Sequence, residues 1–271
     1  MLWGRALFDA FVTFYAVSLV LLFIETVQPR RAVNRAALVL LFASFCLETG
    51  FFLRQLWQSG TVPLYTPFDV VLLLVWFIML VAVVVNALFR VDILVFLANL
   101  LGFLIVAFAA FASSGHVAYT APKGDLLALH IAMAVGSYGA FTFAFVFSVM
   151  YLLQQRMLRS KRFGHLFFRL PALHKLDLNA TRSLILGFGL LIVAIILGVV
   201  WGKLTTGWRF FMDPKVWSTG IVAVMYGILL TLRLRMGWGA SRLVWYSIVC
   251  FIGLAINFIL ISKFSIYHRA L

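Results

Sequence analysis

Long runs of apolar residues alternate along the chain with short connections rich in arginine and lysine. Each run approaches the roughly 20 residues a helix needs to cross a bilayer, where the backbone finds no water and must satisfy its own hydrogen bonds. Against that length the pattern predicts eight spans, over residues 7–24, 36–53, 68–88, 93–111, 126–153, 183–201, 216–232 and 243–262. The turn at 89–92 is so short that the third and fourth spans must form a tight hairpin. The predicted fold class is an all-α integral membrane protein, a single polytopic domain over 1–271 built as a bundle of about eight transmembrane helices.

Composition agrees with the pattern. At 65% hydrophobic and 11% charged residues, with a mean hydropathy of +1.10, there is too little polar surface to cover a soluble globule. The formal net charge of +14 is scattered over connections instead of forming one stripe, so it argues for topology and against a nucleic-acid partner. The odd-numbered connections hold Arg30, Arg31, Arg35, Arg90, Arg156, Arg159, Lys161, Arg162, Arg169, Lys175, Arg182, Arg233, Arg235 and Arg242. The opposite side holds Arg5, Arg54, Lys123, Lys203, Arg209, Lys215, Lys263 and Arg269, a bias of 14 against 8. By the positive-inside rule the odd connections are cytoplasmic, both termini lie outside, and the chain is a multi-pass protein of the cytoplasmic membrane. The first span is expected to be a retained helix and not a removable signal.

The longest connection, 154–182, is basic and carries Phe163, Phe167, Phe168 and Leu170. It is predicted to be an amphipathic helix on the anionic inner leaflet, where each cation contributes about 1 kcal/mol; the alternative is a docking site for a cytoplasmic partner. Cys46 and Cys250 lie inside apolar spans and form neither a C-x-x-C nor a C-x-x-C-H motif, which argues against dithiol chemistry and covalent haem attachment.

Two histidines stand out. His130 lies about one turn inside the start of the fifth span, in Leu129-His130-Ile131, and an ionisable group there faces the bundle interior. His268 follows the eighth span, on the same predicted outer side. Neutral imidazole is a standard haem-iron ligand, and two can hold iron from opposite faces, so His130 and His268 are the candidate axial pair with His116 in reserve. His165 and His174 sit among cations in the basic connection, where a solvated role is expected.

The connection 201–215 lies on that outer side. Trp201, Trp208, Phe210 and Phe211 offer flat faces to a porphyrin, and Arg209 and Lys215 offer charge-assisted bonds to its propionates. The same aromatics also suit plain interfacial anchoring.

The order of several motifs then carries a resemblance. Asp213-Pro214-Lys215, Met236-Gly237-Trp238-Gly239, Asn257 and His268 follow Arg90-Val91-Asp92, Asn99-Leu100-Leu101-Gly102-Phe103 and Ser137-Tyr138-Gly139-Ala140-Phe141. Together they resemble the haem-handling cytochrome c assembly superfamily, and most nearly its HemX-type branch. The resemblance implies an eight-span bundle with an external haem-binding face, noncovalent haem as cofactor, and His130 and His268 as metal ligands. Trp201, Trp208, Arg209, Phe211, Asp213 and Lys215 would then surround the cofactor. One departure is clear: relatives that deliver haem in cytochrome c maturation carry Trp-Asp-Pro-Lys-Glu, whereas here Met212 precedes Asp213 and Val216 follows Lys215. The HemX-type branch is associated instead with control of tetrapyrrole synthesis through glutamyl-tRNA reductase, a candidate partner beside another membrane subunit.

Glu48, within the second span, is expected to be hydrogen-bonded inside the bundle, and Asp69 to favour the positive end of a helix. Ala132, Gly136, Gly139 and Ala140 are expected to let the fifth helix approach a neighbour closely. No P-loop, carboxylate pair, zinc cluster or Ser/His/Asp set is present, so the protein is expected not to be an enzyme. Three readings follow: a haem-binding protein of cytochrome c biogenesis or haem-synthesis control, a non-haem regulator docking a cytoplasmic enzyme of tetrapyrrole synthesis, and a small-molecule transporter.

Overall fold

The computed structural model describes residues 2–59, 67–89, 91–112, 124–161 and 163–258. Among them the chain forms α1 (Leu2–Val27), α2 (Arg31–Ser59), α3 (Pro67–Phe89), α4 (Asp92–Ala112), α5 (Asp125–Arg159), α6 (His165–Arg169), α7 (Leu173–Thr206), a 3-10 turn (Gly207–Met212), α8 (Pro214–Leu234) and α9 (Ala240–Ile256). Seven of these helices are long and apolar enough to cross a membrane, and α9 is a shorter apolar helix. Their outward residues are large and apolar, as a lipid-facing surface requires: Val39 is 67% exposed, Leu186 59% and Ile196 56%.

The helices reach beyond their apolar runs because backbone hydrogen bonding continues into the polar connections. At 1.5 Å per residue α5 and α7 are each about 50 Å long against a hydrocarbon core of about 30 Å. The basic connection is therefore divided between the end of α5, the five-residue α6 and the first turns of α7. One amphipathic helix over 154–182 does not form, which corrects the sequence expectation.

α1 pairs with α2, α3 with α4, and α5 with α7, and α5 also touches α3, α4 and α9. Small residues set these approaches. A Cβ on Gly139 would overlap the ring of Phe77 on α3, and one on Gly136 would stand 3.3 Å from Leu190 of α7. Ala140 is buried, whereas Ala132 is exposed. Aromatic rings complete the C-terminal half: Phe141 stacks on Tyr226 of α8 at 3.7 Å between centroids, and Phe145 on Phe251 of α9 at 4.4 Å.

Polar groups inside the bundle mostly find partners. The Tyr15 hydroxyl of α1 donates to the backbone oxygen of Asn99 on α4 at 2.9 Å, and a Cβ on Gly102 would stand 2.7 Å from that hydroxyl. Trp76 of α3 donates to Thr49 of α2 at 2.8 Å. Asp69 lies in the first turn of α3, as expected. Glu48 differs from expectation: it is buried, and neither carboxyl oxygen has a hydrogen-bond partner among the described residues.

One end of the bundle is held by ions. Arg169 of α6 meets Glu25 at the end of α1 at 2.6 Å and Asp92 at the start of α4 at 3.3 Å, while Arg233 of α8 meets Asp177 of α7 at 2.6 Å. These contacts gather on one basic face the segments that the charge count groups together. Glu25 is only 4% exposed, so Arg169→Ala leaves a nearly buried carboxylate without its main cation. That substitution is expected to lower the free energy of unfolding in detergent by about 3 kcal/mol, and Glu25→Gln in the same chain to restore part of the loss.

Candidate functional site

His130 is the sixth residue of α5, at the end of the bundle away from the ion pairs. Its Nδ1 lies 2.7 Å from the backbone oxygen of Ala194 on α7. A carbonyl only accepts, so the acceptor assigns the tautomer: Nδ1 carries the proton and Nε2 the lone pair. An imidazole bonded in this way through one nitrogen has the arrangement that orients metal-ligating histidines and raises their basicity.

Room for the ring comes from α7. A Cβ on Gly198 would stand 2.7 Å from His130 Cε1 and 2.9 Å from Nδ1. Four residues on, a Cβ at Gly202 would collide with the ring of Phe210. Gly198 and Gly202 are spaced as small residues are where membrane helices approach closely. One carries the histidine and the other carries the turn that follows α7.

That turn begins at Gly207, whose φ of 65° is a conformation a side chain resists. It brings Phe210 back onto α7, buried, and leaves Trp208 at 75% exposed with Arg209 beside it at the surface. Trp208 and Phe211 lie 5.7 Å apart between centroids, and the Lys203 ammonium is 5.5 Å from the Trp208 ring. Phe211 is half-buried, its backbone oxygen accepting from Trp217 Nε1 at 2.8 Å. Trp201 is buried, one turn beyond Gly198.

Asp213 and Lys215 occupy a different setting. Asp213 caps α8 by accepting from the Lys215 backbone N–H at 2.8 Å, with Pro214 opening the helix. The Lys215 Nζ donates to the backbone oxygen of Asn257 at the end of α9, at 2.7 Å. Ser218 donates to Asn257 Oδ1 at 2.7 Å, and Asn257 Nδ2 donates to Thr219 at 3.3 Å. Asp213, Lys215 and Asn257 are all buried. The structure thus separates the candidate residues into an exposed group, Trp208 and Arg209 with the half-buried Phe211, and a buried joint. His116 and His268 lie outside the described residues, and His165 and His174 are exposed at the basic face. Among the described residues no three His, Cys, Asp or Glu side chains converge as ligands for a bare metal ion.

Comparison with known proteins places this arrangement. The family model described as cytochrome C assembly protein matches residues 64–267, which take in His130, the 3-10 turn and the α8–α9 joint. The chain belongs to the cytochrome c assembly protein family. Within this family it is 34% identical over 257 residues to protein HemX of Brevibacillus brevis, covering 94% of each chain. It is 30% identical over 260 residues to protein HemX of Bacillus subtilis (strain 168), covering 95% of this chain and 94% of the relative. A cytochrome c biogenesis protein CcsA from Synechococcus sp. (strain CC9605) is 26% identical over 261 residues, 86% of each chain. These likenesses put the chain in the HemX-type branch of the family, as a multi-pass protein of the cell membrane.

Gly198, Ala194, Ser218 and Thr219 were not singled out from sequence. The Gly198/Gly202 spacing was the available signal for the first of these; a backbone oxygen such as that of Ala194 leaves none. Gly198→Ala is expected to lower stability in detergent by about 1–3 kcal/mol through the clash with His130. Gly220→Ala serves as the contrast, because a Cβ there meets nothing within 4 Å; denaturant titration should find it neutral or stabilising by up to about 1 kcal/mol.

Proposed function

We propose that this family member binds haem noncovalently at the end of the bundle that holds His130, with the iron ligated by His130 and His268. The observation that carries the reading is the Nδ1 bond from His130 to the Ala194 oxygen, which presents Nε2 as the basic nitrogen, together with the space left by Gly198. Bound haem would supply an iron that the imidazoles of His130 and His268 would hold. Trp201, Trp208 and Phe211 would flank the macrocycle and Arg209 would face a propionate, while Asp213 and Lys215 would brace the adjoining α8–α9 joint.

Chain length permits the second ligand. Phe258 packs edge-on against Tyr138 at 5.6 Å between centroids. From Tyr138 to His130 along α5 is about 12 Å, and the ten residues from Phe258 to His268 can span up to about 33 Å. The role of the bound haem would be in cytochrome c biogenesis or in the control of haem synthesis.

Absorption spectra of the detergent-purified protein test this reading. A six-coordinate low-spin spectrum is expected, with haem affinity lowered more than about tenfold in His130→Ala and in His268→Ala and the spectrum restored by imidazole. Protein that takes up no haem, or spectra indifferent to both substitutions, would reject it.

A second role is favoured by the basic face. Arg156, Arg159, Lys161, Lys175 and Arg182 are exposed there and, among the described residues, take part in no ion pair, unlike Arg169 and Arg233. Such a surface suits an acidic cytoplasmic partner, in this branch glutamyl-tRNA reductase. Arg156→Glu with Arg159→Glu should abolish co-purification of the two proteins while leaving the haem spectrum unchanged.

A further inference from the structure

The Met236-Gly237-Trp238-Gly239 motif forms the turn between α8 and α9, and neither proposed role uses it. Its course is fixed from several sides. Gly237 has a φ of 64°, a conformation that favours glycine. The Trp238 backbone N–H donates to the Leu232 oxygen at 3.2 Å, and the Trp238 oxygen accepts from Arg233, which also bonds to Asp177 of α7. The half-buried Trp238 ring stands edge-on to Tyr246 of α9 at 5.1 Å between centroids and carries the Arg242 guanidinium over its face at 5.8 Å.

Two cations flank this turn without a carboxylate. Arg235 and Arg242 are exposed and, among the described residues, take part in no ion pair. The sequence holds no Asp or Glu after Asp213, and Asp177 is paired with Arg233. Each arginine also stands at the polar end of an exposed apolar stripe. On α9, Arg242 is followed at helical spacing by Trp245, Val249 and Ile252; on α8, Ile221, Val224 and Ile228 lead to Arg235. A cation at the head of such a stripe meets phosphate first and acyl chain next, the order in which a phospholipid presents them across its leaflet.

We infer that the α8–α9 loop is a binding site for an anionic phospholipid. Arg242 and Arg235 hold the phosphate, the Trp238 ring fixes the Arg242 guanidinium, and the α9 stripe receives an acyl chain. A guanidinium stacked by its face keeps its N–H edge free to donate to phosphate oxygens. The same stacking disfavours a choline headgroup, because the ring that would attract a quaternary ammonium already carries a cation. These arginines are distinct from the five cations assigned above to an acidic protein partner, and the inference needs nothing from the haem reading.

Full-length protein reconstituted in phosphatidylcholine vesicles tests it. In a Cys46→Ala, Cys250→Ala chain, a fluorophore on Met236→Cys, an exposed position of the loop itself, reports contact with a trace of lipid carrying a nitroxide on its acyl chain near the headgroup. Labelled phosphatidylglycerol is expected to quench with an apparent affinity roughly tenfold above that of labelled phosphatidylcholine. Arg235→Gln with Arg242→Gln should remove that preference. If Arg242→Gln disturbs the Trp238 stack, Arg235→Gln alone still reports on the site and should remove part of the preference. Arg156→Gln with Arg159→Gln, on the same basic face but on α5, should leave it unchanged.

Equal quenching by the two lipids in the parent would overturn the inference. So would a preference that survives the loss of both loop arginines, or one that the α5 pair removes as completely. Inorganic phosphate added at constant ionic strength should leave the preference intact; its disappearance would mark a site for free phosphate and overturn the lipid assignment.

Discussion

Hydrocarbon offers no hydrogen-bonding partner, and the rest of this molecule follows from that. A helix satisfies its own backbone but not a side chain such as Tyr15, His130 or Lys215, so each must find its partner on a neighbouring helix. Partners are reached only where backbones come close. Gly102 admits the Tyr15 hydroxyl, Gly198 admits the His130 ring and Gly139 admits Phe77. The α5–α7 pair concentrates these approaches, and it carries both the histidine and the aromatic turn that ends α7.

The two ends of the bundle use different chemistry. At the basic face, Arg169 and Arg233 connect elements distant in sequence through carboxylates, and Arg156, Arg159, Lys161, Lys175 and Arg182 stay at the surface. At the opposite end, among the described residues, several connections are bonds to backbone oxygens: His130 to Ala194, Trp217 to Phe211 and, with a charged donor, Lys215 to Asn257. A backbone oxygen is set by its helix and does not change rotamer, so a side chain anchored on it is placed with little freedom. That suits a site where a flat ligand has to be held between elements from different parts of the chain.

Legibility from sequence varied with how much of an interaction one residue can announce. His130 announces itself, because an imidazole in an apolar run needs a reason to be there. Its partner does not, since any residue of α7 has a carbonyl. From sequence Lys215 offers, with Arg209, a charge-assisted bond to a haem propionate, an inference from a connection rich in Trp and Phe. Its burial against α9 depends on Asn257, which is 42 residues away. Glu48 likewise declares itself polar in an apolar span, but its lack of a hydrogen bond among the described residues is a property of what packs around it.

Composition, apolar run length and the distribution of Lys and Arg determined by themselves that this is a helical membrane protein, roughly where its spans lie and which connections share a face. These are one-dimensional consequences of hydrophobic thickness and charge, and they hold whatever the helices pack against. Tertiary structure alone decided that the basic connection is divided between two long helices, that α5 and α7 meet at Gly198, and that Lys215 bonds to Asn257. Those outcomes turn on which surfaces come within a few ångströms of each other, and a glycine or a carbonyl becomes specific only once its neighbour is in place.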